Sequence, residues 1–283
     1  LIAIHGYPIA EIVGCFACSK LAAVFVPVDM KWKNTGTRLA DISKDCRPVA
    51  AVVMSNSDSD DVIKTLADQC NVHRCLCLQP TGELALHVQR TLSTISANVP
   101  EAAVVAPVSN CFQISSDEIP QEGSDNSLMS KLPAYILYTS GSTGVPKGVV
   151  CSTTSLFHRL SWQAGCFPWG DSLFHTPVKE TPPKVPCSPK NELVCRRTSL
   201  AFVDSMAEIG SLLYGVPLYI PPADVQSEGI VSVCLAAASF GVSRITLLPS
   251  QLEMLLRLAP DIASRWPALS IIMVSGEPTH ASL

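Results

Sequence analysis

The stretch richest in chemical potential is Tyr138-Thr139-Ser140-Gly141-Ser142-Thr143-Gly144-Val145-Pro146-Lys147-Gly148. Its three glycines allow positive φ and let the backbone approach a ligand closely. Successive backbone N–H groups in such a loop form an anion-binding concavity. Thr139, Ser140, Ser142 and Thr143 add hydroxyl donors, and Lys147 adds a positive point charge. An apolar run, Ala134-Tyr135-Ile136-Leu137, leads in, and Val149-Val150 leads out. Strand, hydroxyl-rich glycine loop, lysine and apolar exit together describe a grip on the phosphates of a nucleoside triphosphate. A plain Ser/Gly turn between two strands is the bland reading of any shorter piece of this string.

Two familiar phosphate loops are excluded by spacing. A Walker-type loop requires Ser or Thr directly after its lysine and a helix starting there, but Lys147 is followed by Gly148 and Val149. The dinucleotide fingerprint fails because Gly141, Gly144 and Gly148 are wrongly spaced.

The elements that would position this loop alternate. Strands are expected over 1–4, 21–29, 48–54 and 74–78, with helices over 8–18, 37–43 and 58–69, the last with an acidic first turn that suits the helix dipole. After the loop the pattern gives helices over 154–163, 205–214, 230–240 and 251–258, and strands over 217–220, 244–248 and 270–274. Such alternation predicts an α/β fold, layered subdomains with largely parallel sheets. A polar stretch inside 109–130 reads as linker, so we expect a first α/β subdomain over 1–110, a linker over 111–131, and a second over 132–283 that opens with the glycine-rich loop. Five prolines within 175–197 leave neither helix nor central strand there, and the segment is expected to be a surface insertion or a gene-model artefact.

Bulk properties bound the function. The chain has 283 residues, of which 47% are hydrophobic and 16% charged, enough for a sizeable core. A net charge of -4 gives no basic field for nucleic acid; the clearest basic pair, Arg196-Arg197, is expected in a loop. The apolar region over 9–28 is interrupted by Glu11, Ser19 and Lys20, which argues against a membrane span. Twelve cysteines fall mostly in apolar runs, and Cys15 and Cys18 lack the second pair of ligands that a zinc site needs. They read as reduced core residues, and a cytoplasmic location follows as the expectation.

Residues 138–148 resemble the phosphate-loop signature of the adenylate-forming superfamily, which includes acyl-CoA synthetases, luciferases and the adenylation domains of peptide synthetases. Residues 21–29 are similar to that family's "AGAAYVPLD" stretch, continued in register by Arg38-Leu39. His158-Arg159-Leu160-Ser161-Trp162 resembles its "NRLLWM" helix, Leu248-Pro249-Ser250 its "VPS" strand end, and Val274-Ser275-Gly276-Glu277 its "SGE" turn beside the nucleotide. At residues 202–205 amino-acid adenylation domains carry Phe-Asp-x-Ser, with the Asp on the substrate's α-ammonium. This chain has Val203 in that place and Asp204 one residue later. The shift, and the Ser275-Gly276-Glu277-Pro278 ending, resemble the β-alanine-activating (aminoadipate-semialdehyde dehydrogenase-like) enzymes and plant acyl-activating relatives.

The resemblance implies ATP-dependent activation of a carboxylic acid (an amino acid, a β-amino acid or an acyl chain) to an acyl-adenylate, with Mg2+, followed by transfer to phosphopantetheine or coenzyme A. A carrier domain would be a partner; nucleic acid and membrane would not. It implies that Thr139, Ser140, Gly141, Ser142, Thr143, Gly144 and Lys147 contact the phosphates, Gly276 and Glu277 the adenosine side, and Phe202 and Asp204 the acid. The family's aromatic-Gly-x-Thr-Glu motif and catalytic lysine would lie beyond Leu283, so the chain is expected to be an N-terminal portion with little activity alone. A non-catalytic nucleotide-binding or interaction module, or a product that never folds stably, are the alternatives. Competing roles are open for single residues. Asp204 also suits the first turn or N-cap of a helix, Glu208 that helix's solvent face, His158 and Arg159 a helix surface, and Glu277 a cap on the turn after the last strand.

Overall fold

The computed structural model describes residues 2–5, 8–28, 38–54, 64–68, 72, 74–78, 84–88, 132–140, 145–167 and 192–279. The chain forms two compact units, Leu1–Leu156 and Phe157–Leu283. Both are α/β.

In the first unit, strands β1 (Ile2–His5), β2 (Phe25–Pro27), β3 (Ala50–Met54), β4 (Arg74–Leu78), β5 (Leu84–Val88), β6 (Pro133–Thr139) and β7 (Lys147–Ser152) build one sheet in the order β5-β4-β3-β1-β2-β6-β7. The five central strands run parallel, and each edge is an antiparallel partner. Parallel neighbours need crossovers, and here helices supply them. Helix α1 (Pro8–Lys20) buries Ala10, Gly14, Cys15 and Cys18, a narrow stripe of small residues. Helix α2 (Arg38–Cys46) buries Leu39, Ile42, Ser43 and Cys46, spaced as one helical face requires. Its Ile42 and Cys46 pack with Val26 and Tyr138, and Phe25 stacks on Tyr135 at 5.5 Å across the β2–β6 pair.

The strand expected over 21–29 is much shorter, and the cause is the end of α1. The helix runs on to Lys20, and its last carbonyls capture the next residues: Leu21 N–H donates to Ala17 O and Ala23 N–H to Cys18 O, with Ala22 at φ 50°. This is a left-handed helix stop, made without glycine. Of the helix expected over 58–69, residues 64–68 are described, and they are helical.

The second unit holds a four-stranded parallel sheet, β11-β10-β8-β9, built from β8 (Val194–Cys195), β9 (Leu218–Tyr219), β10 (Arg244–Leu247) and β11 (Ile271–Val274). Strand β10 is buried along its whole length. Around it lie α3 (Thr153–Cys166, which crosses the boundary between the units), α4 (Asp204–Gly210) running into a 3-10 turn at Ser211–Tyr214, α5 (Ala223–Ser227), α6 (Ile230–Ser239), α7 (Pro249–Leu258) and α8 (Ile262–Arg265). Trp266 is buried at the centre of this core, and its indole N–H donates to Val242 O at 2.6 Å. No described helix is long and apolar enough to cross a membrane.

Two expectations on organisation change. Strands β6 and β7 belong to the first sheet, because β6 pairs in parallel with β2. The glycine-rich loop therefore closes the first unit; it does not open the second. The expected linker over 111–131 lies outside the described residues. The insertion expected over 175–197 also ends too late: Val194 and Cys195 form the buried strand β8, with Glu192 and Arg196 buried beside it. Those two charged residues hide a core strand from a polarity-based reading. Glu192 accepts two hydrogen bonds from Arg244, at 2.8 and 2.9 Å, and one from Ser243.

Candidate functional site

The first group of site residues sits at the neck of the β6–β7 hairpin. Thr139 ends β6, Lys147 begins β7, and the two are direct partners in the ladder. The Thr139 hydroxyl donates to Lys147 O at 3.4 Å. Thr139, Ser140 and Lys147 are all exposed. Gly141, Ser142, Thr143 and Gly144 lie outside the described residues. The chain leaves the loop as a strand, so no helix dipole assists an anion here, as the spacing after Lys147 already implied.

What fixes this neck is a set of contacts that the loop motif does not announce. Tyr138 is buried, and its hydroxyl donates to Asp45 Oδ2 on α2 at 2.6 Å. Burial, reinforced by that carboxylate, pushes the Tyr138 phenol well above its ordinary value. Arg38, also on α2, reaches Tyr138 O at 3.5 Å. Gly148 is the ladder partner of Tyr138, and a Cβ there would lie 3.1 Å from both the Tyr138 ring and Ile136. The tyrosine ring thus occupies the space that Gly148 leaves open. Behind the hairpin, the Ser152 hydroxyl caps α3 by accepting from Ser155 N–H at 3.1 Å.

The second group belongs to the second unit. Phe202 is 65% exposed just before α4. Asp204 is the first residue of α4, whose N-cap, Val203, makes no side-chain cap bond. The Asp204 carboxylate turns away from its own helix: Oδ2 accepts from Ser275 Oγ at 2.5 Å, and Oδ1 lies 3.6 Å from Arg159 Nη2. It is a first-turn residue, not an N-cap. Arg159 is half-buried, with its guanidinium 5.2 Å from the Trp162 ring and Nη2 3.3 Å from Met273 Sδ. It is therefore a paired residue where a bare surface position was expected. His158 is exposed, in keeping with that expectation.

Glu208 overturns its expected place most completely. Only 2% exposed, its carboxylate accepts from Arg196 Nη1 at 3.2 Å, from Arg197 N–H and Thr198 N–H at 3.1 Å each, and from the Thr198 hydroxyl at 2.5 Å. Burial pushes the Glu208 carboxyl up, while Arg196 and the Thr198 and Arg197 donors pull it back. Arg196 also donates to Thr198 O, and Arg197 Nη1 donates to Thr246 O on β10 at 2.8 Å. The basic pair lies in a loop, as expected, but its side chains are internal framework. A carboxylate paired with a guanidinium twelve residues back in the chain is a signal that only pairing in space reveals.

Gly276 and Glu277 follow β11. Gly276 has φ 87°, and a Cβ there would come 2.8 Å from Leu248 Cδ2. Glu277 accepts from both the backbone N–H and the hydroxyl of Ser250, at 3.1 Å each. Ser250 lies in the first turn of α7, so Glu277 caps that helix rather than its own turn, with the dipole favouring the carboxylate. Beneath α4, a cavity of about 20 Å³ is lined by residues including Gln163, Ala207, Glu208, Arg244 and Met273. It is large enough for about one water molecule, and Gln163 Oε1 is buried there without a hydrogen-bond partner.

Comparison with known proteins agrees with this architecture. The family model described as "AMP-binding enzyme" matches residues 2–283. The chain is 34% identical over 157 residues to the beta-alanyl-bioamine nonribosomal peptide synthetase ebony of Drosophila melanogaster, covering 53% of this chain and 16% of that protein. It is 29% identical over 167 residues to the dapdiamide synthesis protein DdaD of Enterobacter agglomerans, covering 59% of this chain and 25% of the relative. Among solved structures, ATP-bound MatB from Rhodopseudomonas palustris superposes with a TM-score of 0.60 at 14% identity, over 99% of this chain and 45% of that one. The Klebsiella oxytoca NpsA N-terminal subdomain gives 0.57 at 20% identity, over 99% and 55%. The chain thus spans about half the length of these solved structures and a quarter or less of these two relatives. With a match that runs across both units, the chain belongs to the AMP-binding enzyme family.

Proposed function

We propose that the protein uses ATP to activate a carboxylic acid as an acyl-adenylate, releasing pyrophosphate, for later transfer to a thiol. The observation that carries this reading is the hairpin neck, where Thr139 and Lys147 stand side by side and exposed, held from behind by Tyr138, Asp45 and Arg38. The obstacle in the reaction is electrostatic. An anionic carboxylate must attack an anionic α-phosphate, so catalysis requires donors and positive charge on the departing pyrophosphate. Thr139, Ser140, Ser142 and Thr143 supply hydroxyl donors, Gly141 and Gly144 close backbone approach, and Lys147 charge. Gly276 and Glu277 form the adenosine side, and Phe202 offers an apolar face to the acid.

Mg2+ would neutralise charge on the triphosphate. Among the described residues no group of three His, Cys, Asp or Glu side chains stands together to hold a metal; the chain's proposed part is its hydroxyl and backbone donors and the lysine charge. The acyl acceptor is proposed as phosphopantetheine on a carrier domain or coenzyme A; the similarity to ebony, a nonribosomal peptide synthetase, supports the former.

The test is ATP–pyrophosphate exchange in the complete protein with a panel of amino and fatty acids. Lys147→Ala is expected to remove exchange while leaving the melting temperature near that of the parent, because Lys147 is exposed at a strand end. Unchanged exchange in that variant would overturn the assignment.

A further inference from the structure

Tyr138, the residue before Thr139, is gripped at both of its ends by one helix. Its phenol donates to Asp45 Oδ2 at 2.6 Å, and its carbonyl accepts from Arg38 Nη2 at 3.5 Å. Both partners belong to α2 and stand seven residues apart, two turns or about 10 Å along the axis. That spacing returns them to the same side of the helix. Ile42 and Cys46 of the same helix pack against the tyrosine, and Gly148 leaves room for its ring on the neighbouring strand. Helix α2 therefore sets both where Tyr138 lies and how it is rotated.

The hairpin needs this hold because its outer side is open. Strand β7 is the edge of its sheet, paired with β6 alone, and Lys147, Gly148, Val149 and Val150 are exposed. The pairing of β6 with β2 lies at Tyr135, three residues before Tyr138. Past that point α2 holds the end of β6 that carries Thr139. A shift of Tyr138 would move Thr139, its neighbour, and with it Lys147, the ladder partner of Thr139. A phosphate grip aims several donors at once, and misplacing a reacting group by about 1 Å can cost about a hundredfold in rate.

We propose that Arg38 and Asp45 are positioning residues for the nucleotide: α2 clamps Tyr138 by its phenol and its carbonyl, and so fixes the angle at which Thr139 and Lys147 meet the triphosphate. Neither Arg38 nor Asp45 touches phosphate or acid in this arrangement. The proposal rests on the adenylation reading for the nucleotide; the clamp's geometry does not.

The experiment uses the complete protein and its variants D45A, D45N, Y138F, R38A and the double variant D45A/Y138F. ATP binding is measured by calorimetry, KM for ATP and for the acid by pyrophosphate exchange, and stability by melting temperature. D45A, Y138F and R38A are each expected to weaken ATP binding roughly fivefold, the effect of losing one hydrogen bond. KM for ATP should rise in step, while KM for the acid moves less than about twofold. D45N keeps an acceptor for the phenol and should stay within about twofold of the parent. The double variant should be no worse than D45A alone, because both changes remove the same bond. A lower melting temperature with unchanged ATP binding would overturn the proposal and leave the clamp a purely structural device. Equal losses for ATP and acid would overturn it too, as would a loss in R38A that D45A and Y138F do not share. If the parent binds ATP but exchanges with no acid, the adenylation reading fails alone, and the binding series still decides the clamp. A parent that binds no ATP would sink both.

Discussion

Single residues carry more of this structure than their exposure in the sequence suggests. Glu208 is the strongest case, because one buried carboxylate gathers a guanidinium, two backbone N–H groups and a hydroxyl. Glu208→Ala would strand Arg196 in the core, and breaking such a pair costs about 3–5 kcal/mol. Chemical denaturation should show that loss, with Glu208→Gln clearly milder because it retains an acceptor. Gly276→Ala faces a different obstacle, a positive φ together with a Cβ 2.8 Å from Leu248 Cδ2. Destabilisation of at least about 1 kcal/mol is expected from the φ alone. The same denaturation assay checks it.

At the scale of elements, the β6–β7 hairpin shows how a loop is made firm by what lies behind it. Tyr138 fills the space over Gly148 and bonds Asp45 on α2. Tyr138→Phe keeps the ring but drops the hydroxyl. Since Asp45 is exposed and can turn to water, the expected cost is only about 1 kcal/mol. Gly148→Val should be worse, because its side chain must displace the ring and with it the strand that carries Thr139. A fall in nucleotide affinity larger than the fall in stability would be the mark of that displacement. Most elements were legible from pattern alone: β4 at Arg74–Leu78 falls where expected, and α2, α6, α7, β10 and β11 differ by a few residues at their ends. The failures have causes. Strand β2 is short because α1 ends in a backbone cap without glycine. Strand β8 is two residues long between charged neighbours, so neither period nor polarity marks it.

For the molecule as a whole, two sheets of different size share one strategy, parallel strands buried under helices. Among the described residues, Cys15, Cys18, Cys46, Cys195 and Cys234 are part of that burial. Cys18 and Cys234 are pushed up to about 11 by burial, and Cys195 is also pushed up. At about pH 8 these thiols stay protonated and should resist iodoacetamide, whereas Cys151 and Cys166, partly exposed, should react before them. Mass spectrometry before and after denaturation would separate the two classes. Early labelling of Cys195 or Cys234 would mean that the second unit's core opens readily.

The amino-acid sequence by itself determined the α/β class, the phosphate-loop string and the family, because each rests on local order: period, turn chemistry and the spacing of glycines and hydroxyls around Lys147. Only the tertiary structure decided where charges go. That Glu208 and Arg196 are internal partners, that Asp204 reaches Ser275, that Glu277 caps α7, and that the strands flanking the loop belong to the first sheet all depend on pairs distant along the chain. A charged side chain reads the same in sequence whether water or a buried guanidinium compensates it, and folding alone settles which of the two it meets.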